Sequence, residues 1–92
     1  MEVIRQHIRV TGTVQGVGFR NTSKKCADQI GVTGWVRNDY DGSVEMEVQG
    51  TSSQIQELFD MIRDASSYIK IESIEADVIP VIENDEEFVV IR

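Results

Sequence analysis

The sequence predicts an α+β fold in which two helices cover one face of an antiparallel sheet. Two segments carry apolar residues at helical spacing, several others alternate apolar with polar residues, and their order is β-α-β-β-α-β with a short extra strand. The length of 92 residues suits one domain, residues 1–92, with no room for a second core.

Residues 4–12 read as the first strand, because Ile8 and Val10 alternate with His7, Arg9 and Thr11. Gly12, Gly16 and Gly18 then mark a loop that runs to Arg20. From Asn21 to Ile30 the residues Thr22, Cys26 and Ile30 recur at helical spacing with Ser23 and Ala27 beside them, and Gly31 is placed to end that helix. Residues 32–38 alternate again, Asp41-Gly42 supplies a turn, and Val44, Met46 and Val48 complete a hairpin. Ile55, Leu58, Phe59, Ile62 and Ala65 define the second helix, with Thr51 and Gln54, or Ser53 and Gln56, suited to a capping box at its start.

The stretch Ile69–Ile79 is β-like, but its apolar phase shifts between Ile71 and Ile74, which predicts a bulge. Pro80 should end its pairing, and Phe88–Ile91 forms a short final strand after the polar run 83–87. The whole is a ferredoxin-like α/β sandwich. Val32, Val36, Val44, Met46 and Val48 should lie under the helices, while Trp35, Arg37, Glu45 and Glu47 should point to an open sheet face.

Composition removes several function classes. A net charge of −7 opposes non-specific binding to nucleic acid or to an anionic membrane surface. An RNA platform needs exposed aromatics on a basic sheet, and Glu45 and Glu47 beside Trp35 make a poor one. Cys26, the single cysteine, cannot form an internal disulfide, and with His7 it is too few ligands for structural zinc. No apolar run is long enough for a signal peptide or a membrane helix, so a cytoplasmic, monomeric protein is expected.

The charge is unevenly spread. Residues 1–37 hold six Lys and Arg against two acidic residues, whereas residues 38–92 hold three against fourteen. An anion could therefore find a locally positive site in the first segment. Arg5, Arg9, Lys24, Lys25 and Arg37 read as solvated surface. Arg20 stands apart, because it follows a glycine-rich loop and opens a helix, where unpaired N–H groups and the positive end of the helix dipole meet. Such a loop can curl its N–H groups around phosphate oxygens, and a guanidinium adds a fork matched to two of them.

Asn38 is the second candidate. It continues the inward phase of Val32 and Val36 past the end of their apolar run, although by position alone its setting in Asn38-Asp39-Tyr40-Asp41-Gly42 favours a turn residue. His7 falls in the outward phase of its strand and reads as surface, and Cys26 reads as a small core residue.

These residues carry a resemblance to the acylphosphatases. The shared features are Gly12 through Arg20 with its VQGVGFR segment, Ala27 and Gly31, Thr33 through Asn38 with GWVRN, Asp41 through Glu45, Gly50, and Phe88 through Arg92. The resemblance implies a metal-independent hydrolase, without a cofactor, that splits the carboxyl-phosphate bond of a small acyl phosphate. Arg20 and the backbone N–H groups of Gln15, Gly16, Val17, Gly18 and Phe19 would bind phosphate, and Asn38 would position the attacking water. The rival expectation is a non-catalytic phosphate- or partner-binding module on the same fold.

Overall fold

The structure is a computed structural model that describes residues 2–92. Strand β1 (Val3–Thr13) is followed by helix α1 (Phe19–Ile30), the hairpin of β2 (Thr33–Asn38) and β3 (Val44–Thr51), helix α2 (Ser52–Ala65), and strands β4 (Lys70–Ile79) and β5 (Phe88–Val90). The sheet order is β4-β1-β3-β2-β5. Its four long strands are antiparallel, and the short extra strand β5 joins β2 in parallel, pairing Gly34 with Phe88 and Val36 with Val90.

Ile8, Val10, Val36, Val44, Met46 and Val48 form the inner face of the sheet, and Phe19, Cys26, Ala27, Ile55, Leu58, Phe59 and Ile62 close over them from the helices. Local signals were legible where they act over a few residues. Thr51 and Gln54 form the capping box, with Thr51 N–H donating to Gln54 Oε1 at 2.9 Å and Gln54 N–H to Thr51 Oγ1 at 3.2 Å. Gly31 ends α1 and donates its N–H to the Ala27 carbonyl at 2.8 Å. The bulge falls where the phase shift placed it: Thr11 faces Ser73 and Gly12 faces Ile71, so Glu72 has no partner on β1. Helix α1 starts at Phe19, two residues before the expected Asn21, because the buried Phe19 ring anchors its first turn in the core.

The outer face departs from expectation at Arg5, which was read as solvated surface. Its side chain is only 2% exposed. Arg5 Nε donates to Glu47 Oε1 at 2.7 Å, and Nη1 donates to Asp85 Oδ2 at 2.8 Å and to Gln49 Oε1 at 3.2 Å. The segment after β4 causes this burial, since Gln49 also holds the N–H and C=O of Ile82, each at 2.9 Å. Burial pulls the Arg5 pKa down, but the hydrogen bonds to Asp85 and Glu47 outweigh it and the net shift is upward.

His7 and Arg9 of β1 also turn toward carboxylates. His7 Nε2 lies 2.6 Å from Glu45 Oε2, and Arg9 pairs with Asp39 and Asp41. Arg37 donates through Nε to Glu45 Oε1 at 2.6 Å and lies over the Trp35 ring at 5.4 Å. Cys26 is buried as expected, which raises its thiol pKa and leaves it a core residue.

Candidate functional site

The site forms where the loop after β1, the first turn of α1, the end of β2 and the end of the chain meet. In the loop, Gly16 (φ 74°) and Gly18 (φ 79°) take left-handed conformations, with open space where a Cβ would stand. The requirement for glycine here is therefore conformational and not steric. Gly18 is the N-cap of α1, and no side chain caps the helix, so the N–H groups of its first turn are left to the loop side.

Most side chains of this loop are occupied elsewhere. Val14 and Phe19 are buried in the core and Val17 packs against it. The Gln15 amide nitrogen donates to the carbonyls of Asp39 at 2.7 Å and Ser43 at 2.8 Å. Through residues 15–19 only the backbone is thus free to meet a ligand. The Gln15 clamp ties the loop to the β2–β3 turn, and sequence reasoning missed it because its two acceptors are main-chain atoms distant along the chain.

Arg20 sits in the first turn of α1, and its Nη1 donates to the Ile91 carbonyl at 3.2 Å. Ile91 is itself held by its N–H to the Val36 carbonyl at 2.8 Å. The end of the chain therefore orients the arginine, and β2 orients the end of the chain. Arg20 makes no ion pair among the described residues, so its charge is uncompensated.

Asn38 is the last residue of β2, paired with Val44, and the turn begins after it, where Asp39 N–H donates to the Ser43 carbonyl at 2.9 Å. Its side chain keeps the helix-side phase, but at the strand end it is exposed and hydrogen-bonds to no other residue described.

Two adjoining cavities result. The smaller, about 120 Å³, is lined by Gly16, Gly18, Phe19, Arg20, Asn38 and Arg92 among others. The larger, about 620 Å³, is lined by Gln15, Arg20, Arg37, Asn38, Tyr40 and Ile91, with Arg92 again present. Arg20, Asn38 and Arg92 border both. The smaller one is bordered by the loop backbone and a guanidinium at a scale suited to a phosphoryl group, and the larger one offers space for whatever that group is attached to. Among the described residues, no three His, Cys, Asp or Glu side chains are grouped to hold a metal ion.

Comparison with known proteins decides the family. The acylphosphatase family model matches residues 6–90. The chain belongs to the acylphosphatase family. The family hydrolyses acyl phosphates. The acylphosphatase of Bifidobacterium longum is 42% identical over 81 residues, covering 88% of this chain and 84% of that one. An acylphosphatase of Clostridium beijerinckii is 34% identical over 86 residues, covering 94% and 96%. The crystal structure of the acylphosphatase from Bacillus subtilis superposes with a TM-score of 0.85 at 30% identity, covering 97% of this chain and 99% of that one. The acylphosphatase assignment thus rests on the whole fold as well as on the loop. No helix among the described residues is long and apolar enough to cross a membrane.

Proposed function

We propose that this acylphosphatase uses Arg20 and the backbone N–H groups of Gln15 through Arg20 to hold the phosphoryl group, and Asn38 to orient the attacking water. The observation that carries this is the shared border: Arg20 and Asn38 line both the small cavity and the larger one beside it. The bond to be broken would lie where the two cavities meet.

The chemistry suits what these residues can do. The water oxygen forms a bond to phosphorus as the bond from phosphorus to the acyl oxygen breaks, and the carboxylate leaves with the electron pair. The proton lost by the water passes to a phosphoryl oxygen of the substrate. A carboxylate is a good leaving group, so positioning and charge stabilisation supply the rate without a titrating base. The amide of Asn38 can accept from one water hydrogen while leaving the oxygen lone pair aimed at phosphorus. Arg20 can meet two phosphoryl oxygens with its fork, its orientation fixed by the Ile91 carbonyl.

The same reading takes residues 1–92 as one metal-independent domain, monomeric and cytoplasmic.

The test is hydrolysis of benzoyl phosphate with a chelator present, by the parent and by folded Arg20→Ala and Asn38→Ala variants. Both variants should lose about 100-fold or more in turnover. Only Arg20→Ala should also lose affinity for inorganic phosphate. Unchanged rates in both variants would overturn the assignment. Phosphate binding without turnover by the parent would make the site a binding module, and loss of the parent's activity in chelator would overturn metal independence.

A further inference from the structure

Strand β4 is the outermost strand of the sheet and pairs only with β1, so along one side its main-chain N–H and C=O groups face no other strand. Helix α2 does not cover the inner face of β4. Between them runs a groove of about 400 Å³ in which Ile8, Ile55, Phe59, Ile74 and Ala76 lie beside the polar Gln6, Ser52 and Gln56. Arg63 also borders the groove, with Asp60 3.7 Å away. Val78, the next inward position on β4, is 68% exposed.

The outer face of this edge carries the opposite chemistry. Glu75 lies across from Arg9 and Asp77 across from His7. Yet Arg9 turns to Asp39 and Asp41, His7 turns to Glu45, and Arg5 turns to Glu47 and Asp85. Glu75 and Asp77 are left without an ion pair among the described residues. The carboxylates of β3 are paired, Glu47 with Arg5 and Glu45 with Arg37 and His7, while those of β4 have no cation on their free side among the described residues.

We propose that the β4 edge and its groove form a docking site for an extended segment of a partner protein that alternates basic and apolar residues. Such a segment would add a strand to the sheet along residues 73–79. Its basic residues would stand beside Glu75 and Asp77 on the outer face, and its apolar residues would enter the groove beside Ile74 and Ala76. β1 shows the same pattern on the other flank of β4, with Arg5, His7 and Arg9 outward and Ile8 and Val10 inward. The bulge at Glu72 and Pro80 confine any added pairing to residues 73–79, and within that stretch the inward positions, Ile74, Ala76 and Val78, carry no charge that would block it. A second copy of the chain is a poor occupant, because two β4 edges would set Glu75 and Asp77 against like charges.

The test uses the full chain labelled with nitrogen-15, titrated with a short synthetic peptide alternating arginine and valine. Amide shifts and slowed hydrogen exchange are expected along 73–79, and a Glu75→Lys, Asp77→Lys double variant should bind roughly tenfold more weakly. Hydrolysis of benzoyl phosphate by that variant should be unchanged, which reports an intact fold. An absence of shifts along β4, or equal binding by a peptide of the same composition with its arginines and valines in blocks, would overturn the proposal. Concentration-dependent shifts along β4 without peptide would assign the edge to a second copy and overturn it as well.

Discussion

Replacing Arg5 by Met removes a charge from the place where the segment after β4 closes over the outer face, and the structure sets the size of the loss. The methionine keeps much of the apolar stem, so the change isolates the guanidinium. Two carboxylates lose this donor, Glu47 at 2.7 Å and Asp85 at 2.8 Å, while Gln49 Oε1 loses its contact at 3.2 Å but keeps the N–H of Ile82. Breaking a fully buried ion pair costs about 3–5 kcal/mol. Here Glu47 and Asp85 remain 21% and 24% exposed and can regain water, which brings the expected cost to about 2–3 kcal/mol. For a domain of this size that corresponds to a fall in Tm of roughly 10–20 °C. Urea unfolding followed by circular dichroism at neutral pH gives the free energy directly. A double-mutant cycle with Asp85→Asn should show a coupling of about 1 kcal/mol or more. A loss below about 0.5 kcal/mol, or independent effects at the two positions, would refute the claim that this pairing anchors the segment after β4.

Other predictions follow from the same contacts. The Glu45 carboxyl is held below its ordinary pKa chiefly by the hydrogen bond from His7, opposed by burial and reinforced by Arg37. Its stabilisation is therefore present above about pH 4.3 and lost as pH falls through the folded value; the stability gap between the parent and Glu45→Gln should narrow below that pH in urea titrations, and a gap constant from pH 6 to pH 3 would refute it. Gly34→Ala should abolish folding or cost more than about 3 kcal/mol, since φ is 135° and a Cβ would stand 1.9 Å from the Glu47 carbonyl oxygen. Gly18→Ala, at φ 79° in open space, should cost only about 1–2 kcal/mol; equal losses in thermal melts would contradict this contrast. Gln15→Ala should remove one of the two donors from each of the Asp39 and Ser43 carbonyls, which keep the N–H groups of Gly42 and Asp39, cost about 1–2 kcal/mol and raise KM for benzoyl phosphate as the loop loosens. An unchanged KM would separate the clamp from the site.

The acidic second half of the chain affects encounter more than chemistry. A net charge of −7 repels a phosphorylated substrate at long range, whereas Arg20 and the loop act within hydrogen-bonding distance. The uneven distribution of charge along the sequence already separated these two effects, because most cations fall before residue 38.

The sequence by itself determined the helices, the hairpin, a capping box at Thr51 or Ser53, the β4 bulge and the two candidates Arg20 and Asn38. Periodicity, caps and turns act between residues a few positions apart, so their physics is written in adjacent letters. It also placed Asn38 on the helix side of β2, because alternation continues to the strand's last residue. Only the tertiary structure decided that Arg5 is buried, that β5 lies parallel to β2, that Gln15 clamps the β2–β3 turn and that the Ile91 carbonyl orients Arg20. Each depends on a partner far along the chain, Asp85 for Arg5 and Ile91 for Arg20 among them. An arginine's burial is set by what folds over it, and a backbone carbonyl carries no residue-specific signal. The meeting of Arg20 with Asn38 at the border of two cavities belongs to the same class, made when the sheet brings the end of β2 beside the start of α1.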